Sequence, residues 1–439
     1  MKKIAILGAG MAGYGASARL HQEGLAAAVY EKENRYGGHT RSYAHDTGFV
    51  SDDGPHVSFT KDERIQELLV NAVGGNYETI QVSVNNYWRG HWIKHPAICN
   101  LHGLANDIVV RCIRDFVEAQ EMQKDSPPEI ATYEDWLLAS YGRGFYENFP
   151  KDYTIRYHTV EPKNMSTDWL GPRLYQADLG EVVRGALTPE TEDVHYISGF
   201  RYPKGGGFQS YLKPFTDWVD IQLGHKLVKI DSKDRKLFFS NGNQIDYDFL
   251  ISSIALPDLV PMLDGVPQDV LDAAESLACT SRVDVNVGIN NDSFTEACWS
   301  YFYDMDYSFT RVSYPHKLSK STCPNGCGAF QAEVYFSKKY KPMKGTAEDY
   351  IEPVIGDLRR CGLIQDHDKI LFKNATYTEY ANVIFDLERG TNLAIVHGYL
   401  DDLGIRYCGR YGEWGYMWTD DSFKSGERAA QSVLDEMSS

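Results

Sequence analysis

The 439-residue sequence predicts an α/β fold: a parallel sheet assembled from separated segments and interrupted by one helical and one antiparallel-sheet insertion. Three observations predict it. Within the first thirty-one residues an apolar run, a glycine turn, a helical stretch and a second apolar run follow one another. Phe249 to Ile254 is nearly continuously apolar, as a strand buried on both faces should be. From Ser281 onward the pattern becomes alternation, in Val283-Asp284-Val285-Asn286-Val287 and Phe330-Gln331-Ala332-Glu333-Val334-Tyr335, with Trp299, Tyr301, Phe302 and Tyr303 between them. That is antiparallel-sheet patterning.

The opening run is Ile4 to Leu7, followed at once by Gly8-Ala9-Gly10-Met11-Ala12-Gly13. Gly8 permits the tight turn, Gly10 lets backbone approach a pyrophosphate, and Gly13 lets the helix pack on the sheet. The helical stretch Tyr14 to Glu23 follows, and its N-terminus presents N–H groups and a positive dipole end. Glu31 follows Gly13 by eighteen residues, the spacing that reaches a ribose hydroxyl. Strand, glycine turn, helix, strand and acid together make a dinucleotide-binding fingerprint.

Composition bounds the rest. Hydrophobic residues make up 43%, enough for a large core, and no apolar run of eighteen residues predicts a membrane span. The apolar segment behind Lys2-Lys3 is too short for a signal peptide, so a cytoplasmic location is expected. A net charge of −17 argues against nucleic-acid binding and leaves a small molecule as the expected partner. The eight cysteines are scattered, and Cys323-Pro-Asn-Gly-Cys327 is neither a zinc knuckle nor a C-x-x-C redox pair. His91 and His95 fall on a predicted hairpin that turns at Arg89-Gly90, without the acid of a helical metal motif, and no metal site is expected.

Along the chain, Leu101 to Gln120 reads as a helix, with apolar residues at three- and four-residue steps. Ser126-Pro127-Pro128 ends it. Tyr133 to Ala139 reads as a further helix, and Tyr141-Gly142-Arg143-Gly144 as a turn. Ser210 to Val219 and Tyr350 to Cys361 are also helical in pattern. Lys226 to Ile230 reads as a strand, Asn241-Gly242 as a hairpin turn, and the segment from about Met417 to Thr419 as the start of a last helix.

Beyond Glu31-Lys32, the segment Arg35-Tyr36-Gly37-Gly38-His39-Thr40-Arg41 resembles the R-x-G-G-R/H segment of the FAD-dependent amine oxidase, protoporphyrinogen oxidase and UDP-galactopyranose mutase superfamily. The resemblance continues. Gly54-Pro55-His56 and Thr60 match the G-P-H-x-F-H-T segment of the mutases, with Ser58 and Phe59 where that family has Phe and His. Tyr153-Thr154-Ile155-Arg156-Tyr157-His158 is similar to Y-T-x-K-x-W, with Arg156 for Lys and His158 for Trp. Arg173 stands at the position of an arginine aimed at the substrate diphosphate, and Phe309-Thr310-Arg311 resembles the T-R segment. Tyr202-Pro203-Lys204-Gly205-Gly206 is similar to the superfamily's Y-P-x-G-G. Gly409, Arg410, Gly412, Tyr416 and Asp420 match G-R-x-G-x-Y-x-Y-x-D-M-D, in which Trp418 takes the place of the first Asp. Ser425-Gly426 with Ala429-Ala430 is similar to the S-G-x-x-A-A ending of amine oxidases.

The resemblance implies a Rossmann-type FAD-binding domain made of residues 1–75, 195–265 and 400–439. Residues 76–194 and 266–399 are then the substrate-binding region, a helical part and an antiparallel sheet. FAD would be held by Gly8, Gly10, Met11, Ala12, Gly13, Glu31, Lys32, Gly37, Gly38, His39, Thr40, Pro55, His56, the Val228 backbone, Gly409, Met417, Trp418 and Thr419. His56, Arg311 and Tyr416 would be catalytic, and Arg156, Arg173 and Arg410 would bind substrate. The implied activity is an FAD-dependent oxidoreductase or isomerase acting on a sugar or nucleotide sugar, with an oxygen-using amine or alcohol oxidase as the alternative. In either case the flavin carries the chemistry.

Overall fold

The computed structural model describes residues 2–171, 174–195 and 197–438. Arg173 therefore lies outside the described residues. Five parallel strands form one layer, in the order Ile405–Tyr407, Phe249–Ser252, Ile4–Leu7, Ala27–Tyr30, Asp220–Gln222. Every side chain of Ile4–Leu7 is buried, which is what its unbroken apolar run requires at the centre of a covered sheet.

Helix Met11–Gln22 lies against the last helix, Thr419–Ser438, at backbone contact. A Cβ on Gly15 would fall 1.9 Å from the Phe423 carbonyl oxygen, and one on Gly426 would fall 1.9 Å from that of Ala12. The small residues of Ser425-Gly426 and Ala429-Ala430 are buried in this seam. They join the two ends of the chain over one sheet.

The second layer is a seven-stranded sheet in the order Ile370–Thr378, Thr280–Ile289, Gly328–Ser337, Arg311–Ser313, Trp299–Phe302, Val84–Trp88, His91–Lys94. The hairpin turning at Arg89-Gly90 forms as expected, but it is the edge of this sheet. Val84–Trp88 pairs parallel with Trp299–Phe302, so the sheet is antiparallel except at that one seam. A strand arriving from the other insertion takes its direction from where its chain enters rather than from a tight turn.

The long strands Thr280–Ile289 and Gly328–Ser337 are buried on both faces. One face carries Val283, Val285, Val287, Phe330, Ala332 and Val334, packed on helix Ile351–Arg360. The other carries Arg282, Asp284 and Asn286 opposite Tyr335, Glu333 and Gln331. This polar face meets the short hairpin of Ser42–Ala44 and Val50–Asp52, where Gln331 Nε2 donates to the Asp52 carbonyl at 2.8 Å.

In the helical insertion, the first helix runs Asn106–Asp125. Leu101 and Leu104 are buried in the turn before it, so their apolar spacing extends the apparent helix upstream. The segment Tyr141–Gly144 is a kink inside helix Tyr133–Asn148 rather than a separate turn, with Gly142 at φ 76°. A Cβ there would fall 2.2 Å from the Asp115 carbonyl oxygen, so this glycine is where the two helices touch. The expected helix Ser210–Val219 is a 3-10 turn, Phe208–Leu212, running into a short α-helix, Lys213–Trp218.

Candidate active site

A cleft of about 900 Å³ lies where the two layers meet. Its first wall is backbone. Gly8, at φ 100°, turns the chain out of the central strand, and a Cβ there would strike Ser253 Oγ at 2.3 Å. Gly10 caps the first helix with no side-chain hydrogen bond, and no acid lies in the first turn. The N–H groups of Met11 and Ala12 are therefore left for a ligand anion. Gly13 does not line the cleft; a Cβ on it would lie 2.2 Å from the Gly8 carbonyl oxygen, so it closes the turn from behind.

The second glycine pair packs on the first. Gly37 N–H donates to the Ala9 carbonyl at 2.7 Å, and a Cβ on Gly38 would lie 3.1 Å from Gly10 Cα. Thr40 Oγ1 donates to the Gly37 carbonyl at 2.7 Å, and His39 and Thr40 continue along the wall. Glu31 and Lys32 line the cleft further on. Glu31 accepts the Ala9 N–H at 2.9 Å and the Glu33 N–H at 3.0 Å, which orients its carboxylate and leaves lone pairs for hydroxyl donors. Gly409, at φ 74°, sits 2.8 Å (as a hypothetical Cβ) from the Ala12 methyl, and Met417, Trp418 and Thr419 complete the wall at the start of the last helix. Thr60 Oγ1 donates to Asp420 Oδ2 at 2.8 Å, tying the Gly54–Thr60 segment to that helix.

Two residues expected on this wall are absent from its described lining. Val228 does not line the cleft and its side chain is 47% exposed. Lys226 and Leu227 take its place, because a register shift between Leu227 and Lys229 re-aims the strand. Pro55 is not among the described lining residues, whereas His56 is.

His56 Nδ1 pairs with the Gly54 carbonyl at 2.9 Å. A carbonyl only accepts, so the proton sits on Nδ1 and Nε2 is the acceptor. Burial pushes the His56 imidazole down to about 4 and that of His39 down to about 3, so both are neutral near pH 7. Phe59 and Trp418, two of the residues that depart from the mutase segments, pack edge to face with ring centroids 4.8 Å apart.

The arginines are placed differently from one another. Arg156 is buried in helix Pro150–His158, and its two Nη atoms donate to the carbonyls of Phe302, Asp304, Tyr307 and Phe309. It clamps a loop and is not a substrate ligand in this arrangement, which corrects the sequence expectation. Arg410 lines the cleft, but it also donates to the Met417 carbonyl and, at 3.0 Å, to the Ala381 carbonyl. Its guanidinium lies 5.7 Å from the Tyr416 ring centroid. Arg311 makes a two-point pair with Glu333, through Nε and, at 2.9 Å, through Nη2. Burial opposes charge on Glu333, yet Arg311 and Arg282 hold its carboxyl below the ordinary range.

Arg311 and Tyr416 stand behind Arg410 rather than on the cleft wall itself. Tyr157 is within electrostatic reach of Tyr416, Arg311, Glu333 and Arg410. It also packs at 5.6 Å on Tyr153 and 4.8 Å on Tyr335, and Tyr153 packs at 5.6 Å on Tyr301. His158 packs at 5.0 Å on Trp169.

Sequence reasoning missed the charged floor: Arg282, Asp284, Glu333 and Asp53. Arg282 Nε donates to Asp284 Oδ2 at 2.8 Å, and its Nη2 lies 3.8 Å from Asp53 Oδ1. Asp53 also accepts Arg41 Nη2 at 3.0 Å and Thr378 Oγ1 at 2.9 Å. Burial pushes Asp284 up to about 7; burial also opposes charge on Asp53, but the Arg282 and Arg41 guanidiniums hold its carboxyl low. The available signal was a strand whose polar alternate positions carry charge although its neighbours are core valines. Among the described residues no group of His, Cys, Asp and Glu could hold a metal ion.

The backbone cradle, the acid, the opposing glycine pair and the strand end at Gly409 fit FAD: wherever the cleft wall must come close, a side chain would fill the space. The comparisons agree. A model of the NAD(P)-binding Rossmann-like domain matches residues 6–72. Residues of the chain are 37% identical over 76 positions to a 4,4'-diapophytoene desaturase from Staphylococcus aureus strain Newman, covering 17% of this chain and only 14% of the desaturase. They are 27% identical over 172 positions to a probable UDP-galactopyranose mutase from Klebsiella pneumoniae, covering 37% of this chain and 43% of that protein. The solved structure of a reduced UDP-galactopyranose mutase superposes with a TM-score of 0.91 at 26% identity, over 99% of this chain and 96% of the mutase. That of a candidate protoporphyrinogen oxidase from Exiguobacterium sp. 255-15 superposes with a TM-score of 0.75 at 17% identity, over 99% of both chains, and shares the fold. In fold and motifs the chain is similar to the superfamily of FAD-dependent amine oxidases, protoporphyrinogen oxidases and UDP-galactopyranose mutases, on the side of its mutase-like branch.

Proposed function

We propose that this flavoenzyme acts on a sugar or nucleotide sugar, as an isomerase or oxidoreductase of glycoconjugate assembly. The observation that carries the reading is the convergence of Arg311, Arg410, Tyr416 and Tyr157 behind the flavin cleft. Aromatic faces suit the C–H faces of a sugar ring, and arginines suit phosphate. Residues 1–75, 195–265 and 400–439 serve as the FAD domain, and 76–194 with 266–399 serve as the substrate region. Among the described residues no helix is long and apolar enough to cross a membrane, and we place the enzyme in the cytoplasm.

Bound FAD supplies hydride transfer or a nucleophilic ring nitrogen. The chain's own residues do the rest. His56 offers Nε2 as an acceptor for a substrate hydroxyl, held in that tautomer by the Gly54 carbonyl. Tyr416 and Arg311 orient the reacting sugar, and Arg173 with Arg410 anchor its anionic part. The tyrosine cluster excludes water. To test the reading, chemically reduced holoprotein is incubated with pyranose nucleotide sugars and the products are resolved by chromatography. Ring-contracted product supports the mutase form, and no conversion of any of them removes it.

One observation favours a second reading, an oxidase of uncharged amines or alcohols: Arg156, Arg311 and Arg410 are all engaged within the chain. Arg173→Ala separates the two. Substrate binding collapses if a phosphate is anchored and survives if none is.

A further inference from the structure

One buried donor in the cleft has charged neighbours but no hydrogen-bond acceptor among the groups described above. Arg282 projects from strand Thr280–Ile289 into the cleft wall with its side chain only 10% exposed. Its Nη2 lies 2.8 Å from Asp284 Oδ2 but is not aimed at it, and makes no hydrogen bond in the chain. The guanidinium rests against Gly54, where a Cβ would fall 2.2 Å from Nη2. Gly54, at φ 80°, therefore lets the charge sit directly beside the peptide that orients His56.

A buried arginine hydrogen left without an acceptor is costly unless a ligand supplies one. Along the cleft, Glu31 serves the ribose end and the first turn of Met11–Gln22 serves the pyrophosphate. The reactive end of the cofactor has to reach the second layer, and Arg282 belongs to that layer. The other groups facing it are the acids Asp284, Glu333 and Asp53, the phenol of Tyr335, and the neutral His39 and His56.

We infer that Arg282 Nη2 donates a charge-assisted hydrogen bond to the ring system of the bound FAD and favours its reduced, anionic form. This rests on the cleft being the FAD site, not on the identity of the substrate. Uptake of two electrons and one proton leaves one negative charge on the ring; Arg282 provides the counter-charge and neither gains nor loses a proton. Asp284 draws part of that positive charge away from the ligand.

The test is the midpoint potential of the purified holoprotein, set by dithionite against a reference dye at pH 8.5, together with the affinity for oxidised FAD. Arg282→Gln should weaken the preference for reduced over oxidised FAD about tenfold, which for a two-electron couple is a shift of about 30 mV to more negative potential. Asp284→Asn removes the competing charge and keeps the donor, so it should shift the potential the opposite way. Opposite shifts support the proposal. An unchanged potential, shifts of the same sign, or equal loss of affinity for both redox states overturns it; the last would put the acceptor on the pyrophosphate. If Arg282→Gln does not fold, the sign of the Asp284→Asn shift decides alone.

Discussion

The two walls of the cleft are made of different materials. The first-layer wall is backbone, brought close by glycines at positions 8, 10, 13, 38 and 409. The facing wall is side chain: Arg282 of the second layer and Asp53 line it, with Asp284, Glu333 and Arg311 behind them, the charges neutralised by one another. A backbone cradle tolerates no added atom, and its chemistry is the same for any pyrophosphate. A paired-charge floor tolerates changes of shape but not the loss of one partner, because an unpaired buried charge is far more costly than a missing pair.

Substitutions at the cradle should have the largest effect. Gly13→Val places branched carbon against the Gly8 carbonyl, and a loss of more than about 4 kcal/mol is expected. The protein should be insoluble or colourless, read as flavin absorbance per mole of chain. A yellow, soluble Gly13→Val protein would break the comparison.

The floor comes next. Glu333→Gln leaves Arg311 buried without its counter-charge, and urea unfolding should show a loss of about 3–5 kcal/mol. Replacing both Arg311 and Glu333 by apolar residues of similar volume should recover most of that loss. A double variant no better than the single one would mean that the floor is as shape-bound as the cradle.

Arg156→Met removes the donor shared by four loop carbonyls, with an expected loss of about 2–3 kcal/mol in unfolding experiments. Substrate KM should change little. A tenfold rise in KM with stability intact would return Arg156 to the substrate site.

The smallest effect lies where the walls meet. The folded-state pKa of His56 is about 4, below its unfolded value near 6.5. Between those values the unfolded chain binds the extra proton, so stability is complete above about pH 6.5 and falls as pH drops. From pH 7 to 5 His56 alone should cost about 2 kcal/mol, and His56→Gln should flatten that part of the urea-midpoint profile. An unchanged profile would mean that the imidazole can be charged in place.

The difference between the walls also decides what could be read without coordinates. Gly8 to Glu31, Gly37-Gly38 and Gly409 are legible because their constraints are local: a turn, a close approach, a helix start. The alternation at Val283 to Val287 and Phe330 to Tyr335 likewise shows two long strands. It does not show that their polar positions are buried as deeply as their apolar ones, because a half-exposed strand has the same period. Helix Arg389–Asp402 has Gly390-Thr391-Asn392, three poor helix formers, in its first turn and has little sequence signature. Arg156 reads like a substrate residue because a motif gives its spacing but not the direction of its side chain.

By itself, then, the sequence determined the α/β class, the cofactor cradle and the identity of the residues available for substrate. Glycine's missing side chain is a local requirement that survives in one dimension. Only the tertiary structure decided which arginines are clamps, which one is paired with Glu333, and that Arg282 stands in the cleft with a donor to spare. Those roles depend on segments distant in the chain being brought together, such as Arg282 beside Glu333 and Arg156 beneath Phe309. A buried charge is defined by its partners, and the partners are chosen by the fold.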